Sequence, residues 1–263
     1  MTYHCDNIII SLKSLSRLYN DSRIIIHNDN PDVTLSFSDY PQVFDIINEV
    51  WNQGMLGSRI NTVLYFKERL EKYGLGDNDK ILFIDDDDIL FPFKVPEFMT
   101  PKYMTNYIEV RKVHELLNLY TRTGGSLVEY IQKFEKVPNY TISGNVYRLK
   151  ELIEFNDIFV RYLPKIKEIL QTNKIMSSED DIYDGCYYQY VKNCLGKTYC
   201  YQSNDVACCW NCVESPIGRY EVDDQRYSDD PDGKKSKEFE VKFRQILDNF
   251  KPWYESNYLP NKS

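Results

Sequence analysis

The sequence predicts an α/β protein with a mostly parallel central sheet and flanking helices. Residues 24–26 and 81–84 are aliphatic or aromatic runs bounded by polar residues, which is typical of strands buried on both faces. Between them, apolar residues at helical spacing predict a helix over about residues 58–73, ended by Gly74 or Gly76. Strand and helix patterns that alternate in this way favour parallel strands joined by helical crossovers.

The remaining elements follow from the same spacing rules. Ile8, Leu12 and Leu15 predict a first helix with a cap at Asp6 or Asn7, whereas residues 43–51 fit a strand or a helix equally well. β-forming residues and a Gly-Asn turn share residues 141–148. Later helices are predicted over about residues 107–120, 149–170 with a break or kink at Pro164, 177–194, and 239–250.

Composition excludes several classes of protein. The chain has 263 residues, 42% of them hydrophobic, and a formal net charge of −8, which argues against nucleic acid as the main partner. No apolar run is long enough for an integral membrane span, and the N-terminus lacks a basic-then-apolar signal. We therefore expect a cytoplasmic protein.

Four consecutive aspartates, Asp85 to Asp88, follow the strand predicted over residues 80–84. Such a run repels itself unless a cation lies among the charges. An Asp-x-Asp at the carboxyl end of a strand presents two carboxylates to one divalent cation, and oxygen ligands of this kind suit Mg²⁺ or Mn²⁺. The alternative is a solvated acidic turn.

Six of the seven cysteines fall between residues 186 and 212, and two interpretations stay open. Cys209 and Cys212 form a CxxC pair with Cys194 and Cys200 upstream, so a structural zinc site is one of them. Reduced cysteines packed in a core are favoured, because the upstream pair lacks CxxC spacing and no histidine lies nearby.

Several polar features stand in a fixed order along the chain. They are Asp29 after a strand, Arg59 at the start of a helix, the aspartates 85–88, the segment Ser143-Gly144-Asn145, and Glu179-Asp180 in a first helical turn. In this order the sequence resembles the nucleotide-sugar glycosyltransferases of the GT-A fold, of the inverting family 2 type. The likeness covers about residues 1–200, and the ordered set is more specific than any one motif in it.

The resemblance implies a domain organisation. A Rossmann-like nucleotide-binding half would span about residues 1–95 and an irregular acceptor half about residues 96–200. Residues 201–263 would form a C-terminal extension, with a mobile acidic loop and a terminal helix packed on the same domain.

The resemblance also implies roles for individual residues. Asp29, Arg59 and Asp86 would contact a UDP- or GDP-sugar; Asp85, Asp87 and Asp88 would hold Mn²⁺ or Mg²⁺; Gly144, Asn145 and Glu179 would lie on the acceptor side; and Asp180 would be the general base. The metal would neutralise the diphosphate as it leaves, and Asp180 would remove the proton of an acceptor hydroxyl on a glycan or another molecule. The QxxRW signature of processive synthases is absent, so we expect single additions.

Two other functions fit part of this pattern. Haloacid-dehalogenase-type phosphatases also use a strand followed by Asp-x-Asp, with Asp85 as nucleophile and Asp87 as acid/base in this sequence. Their motif usually lies on the first strand, whereas here about eighty residues of strand and helix pattern precede it. The second is a nucleotide-sugar-binding module without catalysis. Carboxylates in a first helical turn such as Glu179-Asp180 are also favoured by the helix dipole alone.

Overall fold

A computed structural model describes most of the chain. It covers Ile8, Leu12 and Leu15 and residues 22–49, 54–85, 88–91, 93–97, 100–109, 137–138, 143–171, 179–210 and 234–259. Only the main chain is described for residues 54–55, 89, 108–109, 137–138, 179–180, 202, 205–210 and 234–236.

The described strands form two sheets. Strands β1 (Ile25–Asn28) and β2 (Asp45–Asn48) pair with each other. The larger sheet contains β3 (Lys80–Leu82), β4 (Ile89–Leu90), β5 (Lys102–Glu109), β6 (Val137–Pro138), β7 (Val146–Arg148) and β8 (Cys200–Trp210). Its order is β3-β7-β5-β8-β4, with β6 beside β5.

The described helices lie mainly after the first sheet. They are α1 (Gly54–Glu68), α2 (Leu70–Tyr73), α3 (Leu149–Leu170), α4 (Glu179–Gln189) and α5 (Lys234–Tyr258), and a π-helical turn, Tyr190–Cys194, continues α4. Among the described residues, no helix is long and apolar enough to cross a membrane.

The mixed α/β composition is confirmed, but the prediction of a mostly parallel sheet is wrong for the described strands. Only β1–β2 and β5–β8 are parallel, whereas β3–β7, β4–β8, β5–β6 and β5–β7 are antiparallel. Alternating strand and helix patterns indicate parallel strands only when each helix crosses back to a neighbouring strand. Here β7 lies antiparallel between β3 and β5 and leads directly into α3.

Several local predictions also change. The helix predicted over residues 107–120 begins inside β5, and the rest of that range lies outside the described residues. Residues 43–51, left open by the sequence, contain the strand β2. β8, which the sequence did not predict, pairs with β5 from Lys102 to Glu109, so residues 200–210 belong to the larger sheet. The predicted mobile loop before α5 falls on undescribed residues up to 233.

Helices α1, α3, α4 and α5 bury an aromatic core against the larger sheet. The ring of Phe155 in α3 lies 4.9 Å from the ring centroid of Tyr183 and 5.1 Å from that of Tyr187, both in α4. α3 is continuous through Pro164, so the helix is not broken at this residue, one of the two predicted outcomes. Gly185 brings α4 close to α5, since a Cβ there would lie 2.9 Å from a methyl carbon of Leu247.

A buried ion pair joins the sheet to α4. Lys102 in β5 is fully buried, and its Nζ lies 2.7 Å from Oδ1 of Asp184. The hydroxyls of Tyr147 and Tyr199 donate to the same carboxylate, at 3.2 and 2.9 Å. Because an ammonium group without its partner would be very costly at this depth, Asp184 fixes where α4 lies on the sheet.

Replacing Lys102 tests this anchor. Lys102→Met leaves the partly buried Asp184 carboxylate without its cation and should lower the free energy of unfolding by about 3–5 kcal/mol in urea titrations. Lys67→Met is the matched control: Lys67 makes an ion pair with Asp157 at 2.6 Å, but both side chains are exposed. The control should change stability by less than about 1 kcal/mol. Equal losses in the two variants would contradict an anchoring role for Asp184.

Candidate functional site

The polar ends of β1 and β3 define the candidate site. The chain continues from β3 through Phe83 and Ile84 to Asp85, whose side chain is about 20% exposed. The amide N–H of Asp88 donates to the Asp85 carbonyl at 3.2 Å, and the Asp88 side chain is buried. The carboxylates of Asp85 and Asp88 therefore belong to one short segment with unequal access to solvent.

Arg59 in α1 reaches this segment from the protein interior. Its side chain is buried, its Nη2 donates to Oδ1 of Asp85 at 2.8 Å, and its guanidinium lies 5.3 Å from the ring centroid of Phe83. A buried guanidinium needs a carboxylate partner, because the loss of hydration is otherwise uncompensated. The pair thus fixes the first turns of α1 against the end of β3.

Ser143 connects the aspartate segment to the strand β7. Its Oγ accepts a hydrogen bond from the Asp85 amide at 3.0 Å, and its hydroxyl donates to Oδ2 of Asp88 at 2.6 Å. The Gly144 amide also donates to the Phe83 carbonyl at 2.8 Å. This serine orients both described aspartates, although sequence reasoning gave it no separate role.

Gly144 and Asn145, predicted to lie on the acceptor side, are both buried beside these aspartates. Gly144 has a φ of 79°, a conformation that favours glycine. The Asn145 Oδ1 accepts a hydrogen bond from the Thr105 amide at 2.9 Å, and the Thr105 hydroxyl donates to the Gly144 carbonyl at 3.0 Å. The turn is therefore held by β5 on one side and by the aspartates on the other.

His27 links the end of β1 to α1 through a hydrogen bond. It is buried, its Nε2 lies 2.8 Å from Oε1 of Glu49, and its Nδ1 is hydrogen-bonded to the hydroxyl of Thr62. Burial lowers the pKa of His27 to about 4, so the ring is neutral near pH 7 and donates its Nε2 proton to Glu49. Thr62 stands one helical turn beyond Arg59, so α1 holds the ends of both strands.

Asp29, predicted to meet the nucleoside, follows β1 and is buried. Its carboxylate is close enough to His27 to raise the pKa of the ring in opposition to burial, and Arg59 is close enough to lower it. Asp29 and the Arg59–Asp85 pair therefore belong to one electrostatic neighbourhood.

The predicted base lies at the start of α4. Glu179 and Asp180 are its first two residues, and only their main chain is described. Three residues later, Tyr183 is buried and donates to Oδ1 of Asn156 at 2.9 Å. Burial raises the pKa of Tyr183 and the nearby Arg59 guanidinium opposes that shift, so the first turn of α4 is close to Arg59.

Other predicted residues are only partly described. Asp86 and Asp87 lie outside the described residues, and among those described no group of three or more His, Cys, Asp or Glu side chains could hold a metal ion. Cys186 is buried as a free thiol, and Cys194 and Cys200 are also free. Cys212 lies outside the described residues, so the two interpretations of the cysteines stay predictions.

Comparisons with known proteins assign no family, since no family model, no curated protein and no solved structure matches the chain.

The neutral state of His27 predicts acid sensitivity. Its pKa in the folded protein is about 4 and its unfolded value is 6.5, so acid protonates the unfolded chain first. The free energy of unfolding should fall as pH drops from 6.5 towards 4, by at most about 1.4 kcal/mol per pH unit from this group. Urea titrations across this range should show a shallower slope for His27→Gln. An unchanged slope would mean that other groups cause the loss.

Removing the Ser143 hydroxyl should destabilise the site. Ser143→Ala deletes the hydrogen bond to the buried Asp88 and should lower the free energy of unfolding by about 1–3 kcal/mol. Ser36→Ala is the control: Ser36 donates to Asp39 at 2.6 Å on an exposed loop. We expect a change of at most about 0.5 kcal/mol there. A Ser143→Ala loss no larger than the control would contradict the bridging role.

Proposed function

We propose that the protein is a glycosyltransferase that moves a sugar from a nucleotide diphosphate donor to an acceptor hydroxyl. The observation that carries the proposal is the pairing of the buried Arg59 with the partly exposed Asp85 at the end of β3, beside the turn Ser143-Gly144-Asn145. Strand ends at one edge of an α/β sheet are a common place for nucleotide binding.

The charge balance of the site supports a metal-dependent reaction. Of the described residues, Asp29 after β1 and Asp85 and Asp88 after β3 bring three carboxylates to the neighbourhood of the Arg59 guanidinium, and His27 is neutral. A diphosphate would be repelled by this excess of negative charge. A divalent cation would reverse the balance, since it attracts the carboxylates and the phosphates together.

The donor atoms fit Mg²⁺ or Mn²⁺, because carboxylate oxygens are the ligands that such hard cations prefer. Asp85 is the described candidate with solvent access, whereas Asp88 is buried and bonded to Ser143. Asp87 and Asp88 stay predicted ligands. When bound, the cation would supply charge neutralisation for the leaving diphosphate.

The chain's own residues would do the remaining work. Arg59 holds Asp85 in place and adds positive charge near the donor phosphates. Asp29 and Asp86 are proposed to contact the nucleoside and its phosphates. Gly144 and Asn145 are proposed to form the turn on the acceptor side of the site. Asp180, at the start of a helix packed close to Arg59, is proposed to take the acceptor proton. Attack opposite the leaving group would invert the anomeric centre.

Turnover tests the proposal directly. The protein is incubated with Mn²⁺, simple sugar acceptors and a panel of UDP- and GDP-sugars, and release of the nucleoside diphosphate is measured. Asp180→Asn should lower transfer by about 100-fold or more while donor binding, followed by calorimetry, is retained. Asp85→Asn should weaken both the metal-dependent binding and the transfer. The control Asp77→Asn alters an exposed ion pair with Lys150 and should leave both unchanged.

Each alternative predicts a different result. Hydrolysis of a generic phosphate ester, with no nucleotide-sugar turnover, would favour the phosphatase. Metal-dependent binding of UDP without any turnover would favour a binding module and contradict the transferase. Full transfer by Asp180→Asn would refute only its role as the base.

A further inference from the structure

A cavity of about 760 Å³ lies between β1 and β3. Ile25 and His27 of β1 line it on one side, and Lys80 to Leu82 of β3 line it on the other. Within the described part of the chain, β1 pairs only with β2, and β3 lies at the end of the larger sheet and pairs only with β7. The cavity therefore separates two strand edges.

The edge of β1 directs hydrogen-bonding groups into this cavity. The carbonyls of Ile24 and Asn28 accept hydrogen bonds from amides on the β2 side, at 2.8 and 3.0 Å. Along a parallel pair, successive residues turn their N–H and C=O groups to opposite sides. Ile25 and His27 consequently direct theirs away from β2, towards the cavity that they line.

The edge of β3 does the same from the other side. The carbonyls of Asp79 and Phe83 accept hydrogen bonds from Leu149 and Gly144, both at 2.8 Å, so these two residues face β7. Main-chain groups alternate along a strand, so the residue after Asp79 and the residue before Phe83 direct theirs away from β7. Lys80 and Leu82 are those residues, and both line the cavity.

The two edges run in the same direction. Their carboxyl ends meet at Arg59, which pairs with Asp85 after β3 and lies within electrostatic range of His27 in β1. Near their amino ends, the Arg23 guanidinium before β1 lies 3.8 Å from a Cβ position on Gly74, which precedes β3. One inserted strand could therefore pair in parallel with both.

We propose that this gap is a binding site for an extended peptide strand of about five residues. The strand would hydrogen-bond to both edges and join the two sheets, which is recognition by strand addition. Its side chains would meet Phe66 of α1 and Val95, both of which line the cavity, so they should be apolar on both faces.

Charge fixes the preferred end of the peptide. Arg23, Asp79 and Lys80 line the cavity at its amino end. Two cationic side chains therefore stand there against one carboxylate. A peptide that enters parallel to β1 and β3 places its own amino end there. An acidic residue immediately before the apolar stretch should therefore strengthen binding. This inference does not depend on the proposed glycosyl transfer.

The test uses a fluorescent peptide with a glutamate followed by five alternating valine and isoleucine residues. Saturable binding by anisotropy is expected, with slower amide hydrogen exchange in both β1 and β3. Two comparison peptides, one with alternate main-chain nitrogens methylated and one with lysine in place of glutamate, should bind about 10-fold or more weakly. Val95→Glu should weaken binding similarly, whereas Glu97→Gln, exposed in the same segment, should not.

Four results would overturn the proposal. They are no saturable binding up to about 1 mM, equal binding of the methylated peptide, protection confined to one of the two strands, and self-association of the protein that displaces the peptide. The last would assign the gap to a second copy. Hydrogen exchange in the free protein checks that the variant is folded. Val95→Glu must show the same amide protection in α3 as the wild-type protein.

Discussion

The buried guanidinium of Arg59 is the constraint on which the site depends. A charge at this depth costs several kcal/mol unless a counter-charge reaches it, and Asp85 does so at 2.8 Å. To bring Asp85 there, the end of β3 must lie against the first turns of α1. The ring of Phe83 packs beside the guanidinium, so the register of the strand is fixed as well. A buried ion pair adds little net stability, and its value here is that it specifies one arrangement.

The polar groups around that pair follow from its position. Ser143 can bridge the Asp85 amide and the Asp88 carboxylate because β7 lies beside β3 in the larger sheet. His27 stays neutral because burial opposes its protonation, so it adds no charge to the site. The result is an edge rich in carboxylates with a single described guanidinium among them.

Some elements could be predicted because their signals are local. The aliphatic runs of β1 and β3 and the amphipathic spacing of α3 specify their structures almost regardless of the surroundings. The signal for β5 was ambiguous, since its tyrosines and isoleucine also fit helical spacing. β8 was missed, because the polar residues 202–205 interrupt its apolar pattern and it gains its stability from pairing with β5 along its length. Strand direction was predicted wrongly, since crossover geometry is a property of the assembled sheet.

The sequence by itself determined which residue types stand at the ends of strands: Asp29 after β1, the aspartates after β3, and Ser143-Gly144-Asn145 before β7. These positions are set by polar residues that interrupt apolar runs, and they can be found without coordinates. Only the tertiary structure decided which of them meet. The bridge by Ser143, the contact of His27 with Glu49 and the gap between two strand edges all join segments distant in the chain. No local pattern encodes such contacts, because their energy comes from burial that exists only once the chain has folded.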